Sequence, residues 1–380
     1  MTDATYGRES FLRTVPSPAE PPPSLVVGPV AWIRGNLFSS PVSGLLTIAS
    51  VAFLVWFLPG VIRFLFIDAV WHGDNAEPCR AHPDGACWPF IYYKFDYFRY
   101  GSYPGDQRWR VDLTEVIGAV LLVWLLWRNA PRRNIAAGLF FVAYPIVGFF
   151  LLSGATWLGL PVVETNYWGG VLVTLLVSLV GIVFSLPLGV LLALGRRSKL
   201  PIVNASSTAF IEIVRGVPFI TVLFMANFML PMFLPESWTP DRLLRPLVGT
   251  ALFAAAYMAE IVRGGLQAMP KGQFEGAAAV GLGYWQTMRL IILPQALTLV
   301  IPSIVSSFIS LFKDTTLVSI VGIFDLLRTI ESARLDPVWA APTTSATGYV
   351  FAAAFFWVFC FSMSRYSQGM ERRLRAGRRH

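Results

Sequence analysis

Apolar residues in this chain do not alternate with polar ones. They come in long runs separated by short polar stretches. A helix needs about 20 apolar residues to cross about 30 Å of hydrocarbon. Runs of that kind fall at 43–67, 113–127, 135–152, 168–194, 205–234, 247–262, 296–323 and 348–364. The second is short unless Thr114 and Glu115 lie at the interface. The fifth is interrupted by "RGVP" and the seventh by "FKDTT". The pattern predicts an all-α membrane protein of about eight transmembrane helices.

Basic residues orient these spans, because short cytoplasmic loops collect Lys and Arg. Arg128, Arg132 and Arg133 follow the second run, and Arg196, Arg197 and Lys199 follow the fourth. Arg365, Arg372, Arg373, Arg375, Arg378 and Arg379 follow the eighth. The loop "SGATWLGLPVVETN" after the third has none. Both termini are therefore expected in the cytoplasm, with 68–112 outside and 263–295 inside. The first run is preceded by a polar, Pro-rich leader (1–42), which reads as a disordered tail and not as a cleavable signal.

Composition agrees with a lipid environment. Of 380 residues, 55% are hydrophobic and 14% charged, where soluble proteins carry about 25% charge. The net charge of +8 sits beside the apolar runs, so it sets topology and gives no reason to expect nucleic acid. Cys79 and Cys87 are close together in "EPCRAHPDGACW". On the outer, oxidising side a disulfide is favoured. The rival is a metal clip with His72 and His82, whose spacing fits no standard zinc pattern. No metal site is expected.

One inside segment differs from its surroundings. "EGAAAVGLGYWQTMRLIILPQAL" (275–297) has small side chains, two glycines and a proline. Good helix formers, a reversal at Gly281 and Gly283, and a restart at Pro294 predict helix, tight turn, helix along the inner membrane face. Glu275, Ala277, Gly281, Ile291, Leu293 and Pro294 follow E-x-A-x-x-x-G-x₉-I-x-L-P. This resembles the EAA loop of ATP-binding-cassette importer permeases. The resemblance implies a coupling helix that docks on an ATPase subunit through Glu275, Gly276, Ala277, Ala278, Gly281 and Leu282. Gly276 departs from the usual alanine, which loosens the helix by up to about 1 kcal/mol.

"NYWGGVLVTLLVSLVGIVFSLPLGVLLAL", "FIEIVRGVPFI", "YMAEIVRGGLQAMPKGQFEGA" and "LFKDTTLVSIVGIFDLL" resemble the polar amino-acid permease subfamily, in family order. The implied organisation is a permease core of five helices at 166–366 with the coupling loop at 263–295. Before it lies an extension at 43–152 with an outside insertion at 68–112, similar to the long subunits of general L-amino-acid permeases. After it comes a basic tail at 367–380.

Polar residues inside spans tend to face a bundle interior. Ser303, Ser307, Lys313, Asp314 and Thr315 are candidates for the substrate pathway, since a zwitterion needs both a cationic and an accepting partner. Some relatives that prefer basic amino acids carry an acid six residues before the matching lysine. Ser307 stands there, which predicts weak selectivity or a preference for neutral and acidic substrates over arginine. Pro187, Gly216 and Pro218 are candidate hinges. Glu212–Arg215 and Glu260–Arg263 have the i, i+3 spacing of simple helix pairs. The aromatic insertion is expected to pack on a partner or receive a binding protein.

No phosphate-binding loop, dinucleotide fingerprint, metalloprotease or nucleophile-elbow motif occurs in the sequence. ATP and Mg therefore belong on a partner ATPase, and this chain is expected to bind no cofactor. The implied partners are ATP-binding subunits, a homologous second permease subunit, a periplasmic amino-acid-binding protein and membrane lipid, in a bacterial inner membrane. An ion-coupled secondary amino-acid transporter and a non-transporting scaffold are the alternatives.

Overall fold

The computed structural model describes residues 28–127, 129–235 and 238–376. The leader up to residue 27, Arg128 and the last four residues, Arg378 and Arg379 among them, lie outside the described residues. The chain divides into two compact units, Met1–Ile67 and Asp68–His380. The expected extension at 43–152 is thus split between them.

In the first unit, α1 (Pro29–Asn36) precedes α2 (Pro41–Ile62). The Ser40 hydroxyl caps α2 by accepting from the Ser43 N–H at 3.1 Å. With the π-turn Arg63–Ile67, this gives a 27-residue apolar helix. Apolar side chains cover it all round, as expected of a segment surrounded by lipid or other protein.

The second unit starts with α3 (Glu77–Ala81), α4 (Trp88–Tyr100) and α5 (Arg108–Leu126). Next, α6 (Arg133–Gly138) and α7 (Tyr144–Ser153) are joined through a π-turn into one 21-residue span. α8 (Gly170–Arg196), α9 (Pro201–Gly216), α10 (Phe219–Phe224) and α11 (Leu244–Gln267) follow. The chain ends with α12 (Lys271–Ala279), α13 (Tyr284–Thr287), α14 (Leu293–Asp314), α15 (Leu326–Ala333) and α16 (Thr344–Ala376). Outside the helices, the described residues pair only in isolated bridges such as Val70 with Cys87.

Six helices are long and apolar enough to span a membrane, or seven if one bent pair counts as a span. The expected eight is reduced by α5. Arg108, Arg110, Asp112 and Glu115 load its first two turns with charge.

The bent pair is the fifth apolar run. α9 and the stretch Phe219–Phe233 meet at 109°. Pro218 lacks an N–H and restricts the residue before it to extended backbone. Val217 accordingly has φ −108° and ψ 136°. Pro187 behaves differently, because α8 runs through it without a break. The seventh run does not break at the expected point: α14 ends at Asp314 but tightens directly into a 3₁₀ turn, Thr315–Val321, within one continuous span Tyr284–Val321.

α8 and α11 form the axis of the core. A Cβ on Gly181 would lie 3.2 Å from the Thr250 methyl, and one on Gly189 would lie 2.7 Å from the Met258 Cβ. Both partners advance by eight residues, so the helices run parallel and close together. Helix pairs in membranes need such small residues, because lipid gives no hydrophobic reason for helices to associate. A second apolar cluster holds Leu194 and Ile211 with Met258, Val262, Met288 and Ile292.

The 68–112 insertion packs on its own chain. Phe90, Ile91 and Phe98 bury against Leu326, Ile330, Trp339 and Ala352. The Cys87 N–H donates to Thr347 Oγ1 at 2.8 Å, and Lys94 pairs with Asp336 at 2.5 Å. That contact holds the Asp336 carboxyl below the usual carboxylate range. Cys79 and Cys87 are joined by a disulfide, with Cα atoms 5.5 Å apart. Among the described residues no cluster of His, Cys, Asp and Glu is arranged to hold a metal.

Candidate functional site

α12 starts after Pro270 and ends in a glycine-dependent cap. Gly281 has φ +78°. Its N–H donates to the Ala278 carbonyl at 3.0 Å, and the Leu282 N–H donates to the Ala277 carbonyl at 3.1 Å. This is the Schellman arrangement, which needs a left-handed residue just beyond the helix. Gln286 then reaches back to accept from the Gly283 N–H at 3.0 Å and fixes the start of α13.

From α13 onward the structure departs from the expected restart at Pro294. α13 runs through a π-turn, Met288–Ile292, straight into α14. A proline clashes with the carbonyl four residues back and cannot bond it. The widened turn, with Leu293 N–H bonded to the Met288 carbonyl, absorbs that defect without ending the helix.

The residues named for docking divide into two sets. Glu275, Gly276, Ala278 and Gly281 are exposed and Leu282 is half-buried. Ala277 is 2% exposed, so it faces its own chain. A Cβ on Gly276 would meet nothing within 4 Å. With Ala279 also exposed, the end of α12 presents small side chains, flanked by the exposed Val280, Tyr284 and Trp285.

The polar residues of α14 also divide. Ser303, Ser306, Ser310 and Lys313 are exposed and recur every three or four residues, so they share one helix face. Ser307 and Asp314 are half-buried. Thr315 is fully buried, and its hydroxyl donates to the Phe312 carbonyl at 2.8 Å, which takes it off that face. Among the described residues neither Lys313 nor Asp314 is in a salt bridge.

The expected Glu212–Arg215 pair does not form. Glu212 pairs with Arg196 at 2.7 Å, while Arg215 reaches Glu260 at 3.4 Å. Glu260 also receives Arg196 at 3.4 Å and its i, i+3 neighbour Arg263. Local spacing offered each glutamate a partner on its own helix. Instead, the last turns of α9 pack against the end of α8 and the late part of α11. Sequence reasoning named Arg196 for topology only, and no short-range signal marked it as a bridge.

These features define a polytopic membrane protein with an exposed, small-sided helical loop and a polar helix face. Residues 185–376 match the family described as binding-protein-dependent transport system inner membrane component. The chain belongs to that family. It is 50% identical over 350 residues to an inner membrane amino-acid ABC transporter permease protein, YhdY, of Escherichia coli K12, covering 92% of this chain and 94% of that one. A glutamate/glutamine/aspartate/asparagine transport system permease protein, BztC, of Rhodobacter capsulatus is 40% identical over 433 residues, with 97% and 99% covered. A solved amino acid ABC transporter with histidines aligns at 26% identity and TM-score 0.47, covering 54% of this chain and 92% of that one.

Proposed function

We propose that this chain is the permease subunit of an ATP-driven importer that carries amino acids into the cytoplasm by alternating access. The exposed α12–α13 loop carries this reading, because its small outer face and glycine cap present backbone to a partner. ATP-binding subunits dock there and hold ATP and Mg, while this chain binds no cofactor and hydrolyses nothing. A second, homologous permease subunit completes the pathway, and a periplasmic amino-acid-binding protein delivers substrate. Both termini lie in the cytoplasm.

Within the membrane, Lys313 offers the cation for a substrate carboxylate and Asp314 an acceptor for its ammonium. Ser303 and Ser307 line the same path. The bend at Gly216–Pro218 is the hinge. Pro187, in an unbroken helix, is the weaker hinge position. Ser307, with no carboxylate for a cationic side chain, favours neutral and acidic substrates over arginine. The names of the two relatives support amino acids as cargo.

The test is purification from native membrane with partners identified, followed by uptake in proteoliposomes. ATPase subunits should co-purify, and uptake should require ATP. Uptake driven by an ion gradient with no ATPase present would show a secondary transporter instead.

A further inference from the structure

We infer that Glu260 is a positioning residue that passes movement of the docking loop to the bent span. This rests on the importer reading. Three guanidinium groups, from Arg196, Arg215 and Arg263, converge on the one Glu260 carboxylate, and Arg196 also holds Glu212. The cluster ties the end of α8, the last turn of α9 and the late part of α11 together. Glu260 sits seven residues before the end of α11, about 10 Å along the axis at 1.5 Å per residue.

The loop is linked to this cluster through Arg197, the residue that follows α8. Arg197 donates to the Leu266 carbonyl at 3.2 Å, and its guanidinium lies 5.9 Å from the Phe274 ring centroid on α12. A second link, Gln295 to Gln273 at 3.0 Å, joins α12 to α14. A pull on α12 therefore reaches the Arg196–Arg197 end of α8. From there it reaches α9, whose angle to the following half-span is set at Val217–Pro218. α9 has no covalent connection to the loop shorter than the whole of α11. The charge cluster makes that connection across space. Ion pairs suit this task because they exchange partners without leaving a buried apolar gap.

The experiment uses the assembled transporter in proteoliposomes, once ATP-dependent uptake by the unaltered complex is established, so that a failure of the importer reading appears before this test starts. The probes are an equimolar mixture of amino acids, the binding protein and ATP. Glu260→Gln keeps size and hydrogen bonding but drops the charge. The ATPase subunits should stay bound and basal ATP hydrolysis should persist. Stimulation of hydrolysis by loaded binding protein should be lost, and uptake should fall about tenfold. Glu260→Asp should recover part of the stimulation. Arg197→Gln, at an exposed position, should uncouple more mildly without touching the cluster. Unchanged stimulation and uptake in Glu260→Gln would overturn the inference. So would loss of the ATPase subunits from that variant, which would make the cluster an assembly contact.

Discussion

Gly189 of α8 stands against Met258 of α11 so closely that an added Cβ would lie 2.7 Å from the Met258 Cβ and 3.0 Å from the Ala259 nitrogen. Neither neighbour is the loose end of a side chain, so the helices themselves must separate. Gly189→Ala should cost about 1–3 kcal/mol, the usual range for overpacking. Gly189→Leu should prevent the core from assembling. Thermal unfolding of the purified complex in detergent checks both. A Gly189→Leu protein as stable as the original would disprove the close packing.

Gly276 supports the opposite expectation. It is exposed in the middle of α12, with open space where a side chain would project. Gly276→Ala should stabilise α12 by about 0.5–1 kcal/mol and leave uptake unchanged. Gly276→Trp should leave the subunit folded but project a bulky ring from the exposed side of α12. The ATPase subunits should then no longer co-purify, and ATP-dependent uptake should stop. Ala277 is a poorer probe than the motif suggests, because its buried side chain confounds docking with folding.

The sequence made the spans legible wherever the apolar runs were long, and placed the break of the fifth run by its proline. Pro218 breaks its helix because the residue before it goes extended. Pro294 and Pro187 do not, since a π-turn absorbs one and α8 continues through the other. Proline alone therefore does not say which outcome follows. The small loop and its glycine cap were readable because a Schellman turn depends on local chemistry. The Glu212–Arg196 and Arg215–Glu260 pairs were not, because they depend on how α8, α9 and α11 pack together, which local spacing does not encode. Nor did the 68–112 insertion reveal its partner. Its buried aromatic face packs on α15, α16 and Trp339 between them, a contact no periodicity encodes.

Lys313 on the exposed polar face of α14 leads to a substrate prediction. Lys313→Met removes the only charge of the stripe Ser303, Ser306, Ser310, Lys313. Uptake should fall at least about tenfold, in line with losing a hydrogen bond to a charged group, with expression and ATPase attachment unchanged. Ser307→Glu places a carboxylate six residues, about 1.7 turns, earlier and should raise arginine uptake relative to glutamate. Competition assays with labelled amino acids read both. An arginine preference already present in the unaltered transporter would refute the role given to Ser307.

Asp325 sets a pH dependence outside the spans. It caps α15, accepting from the Arg328 N–H at 3.0 Å and the Leu327 N–H at 3.3 Å. It is fully buried, and burial raises its pKa to about 7 despite those bonds. In the unfolded chain an aspartate titrates near 3.9. Between these values the folded protein holds a proton that the unfolded chain has released. Stability from this group is therefore complete below about pH 4, declines as pH rises, and is gone above about pH 7. The full span is worth at most about 4 kcal/mol. Asp325→Asn keeps an accepting oxygen for the cap but cannot ionise. Its unfolding temperature, measured from pH 4 to 8, should lack the decline that the unaltered protein shows through this window. Equal slopes in the two proteins would mean that Asp325 titrates as an ordinary exposed carboxylate.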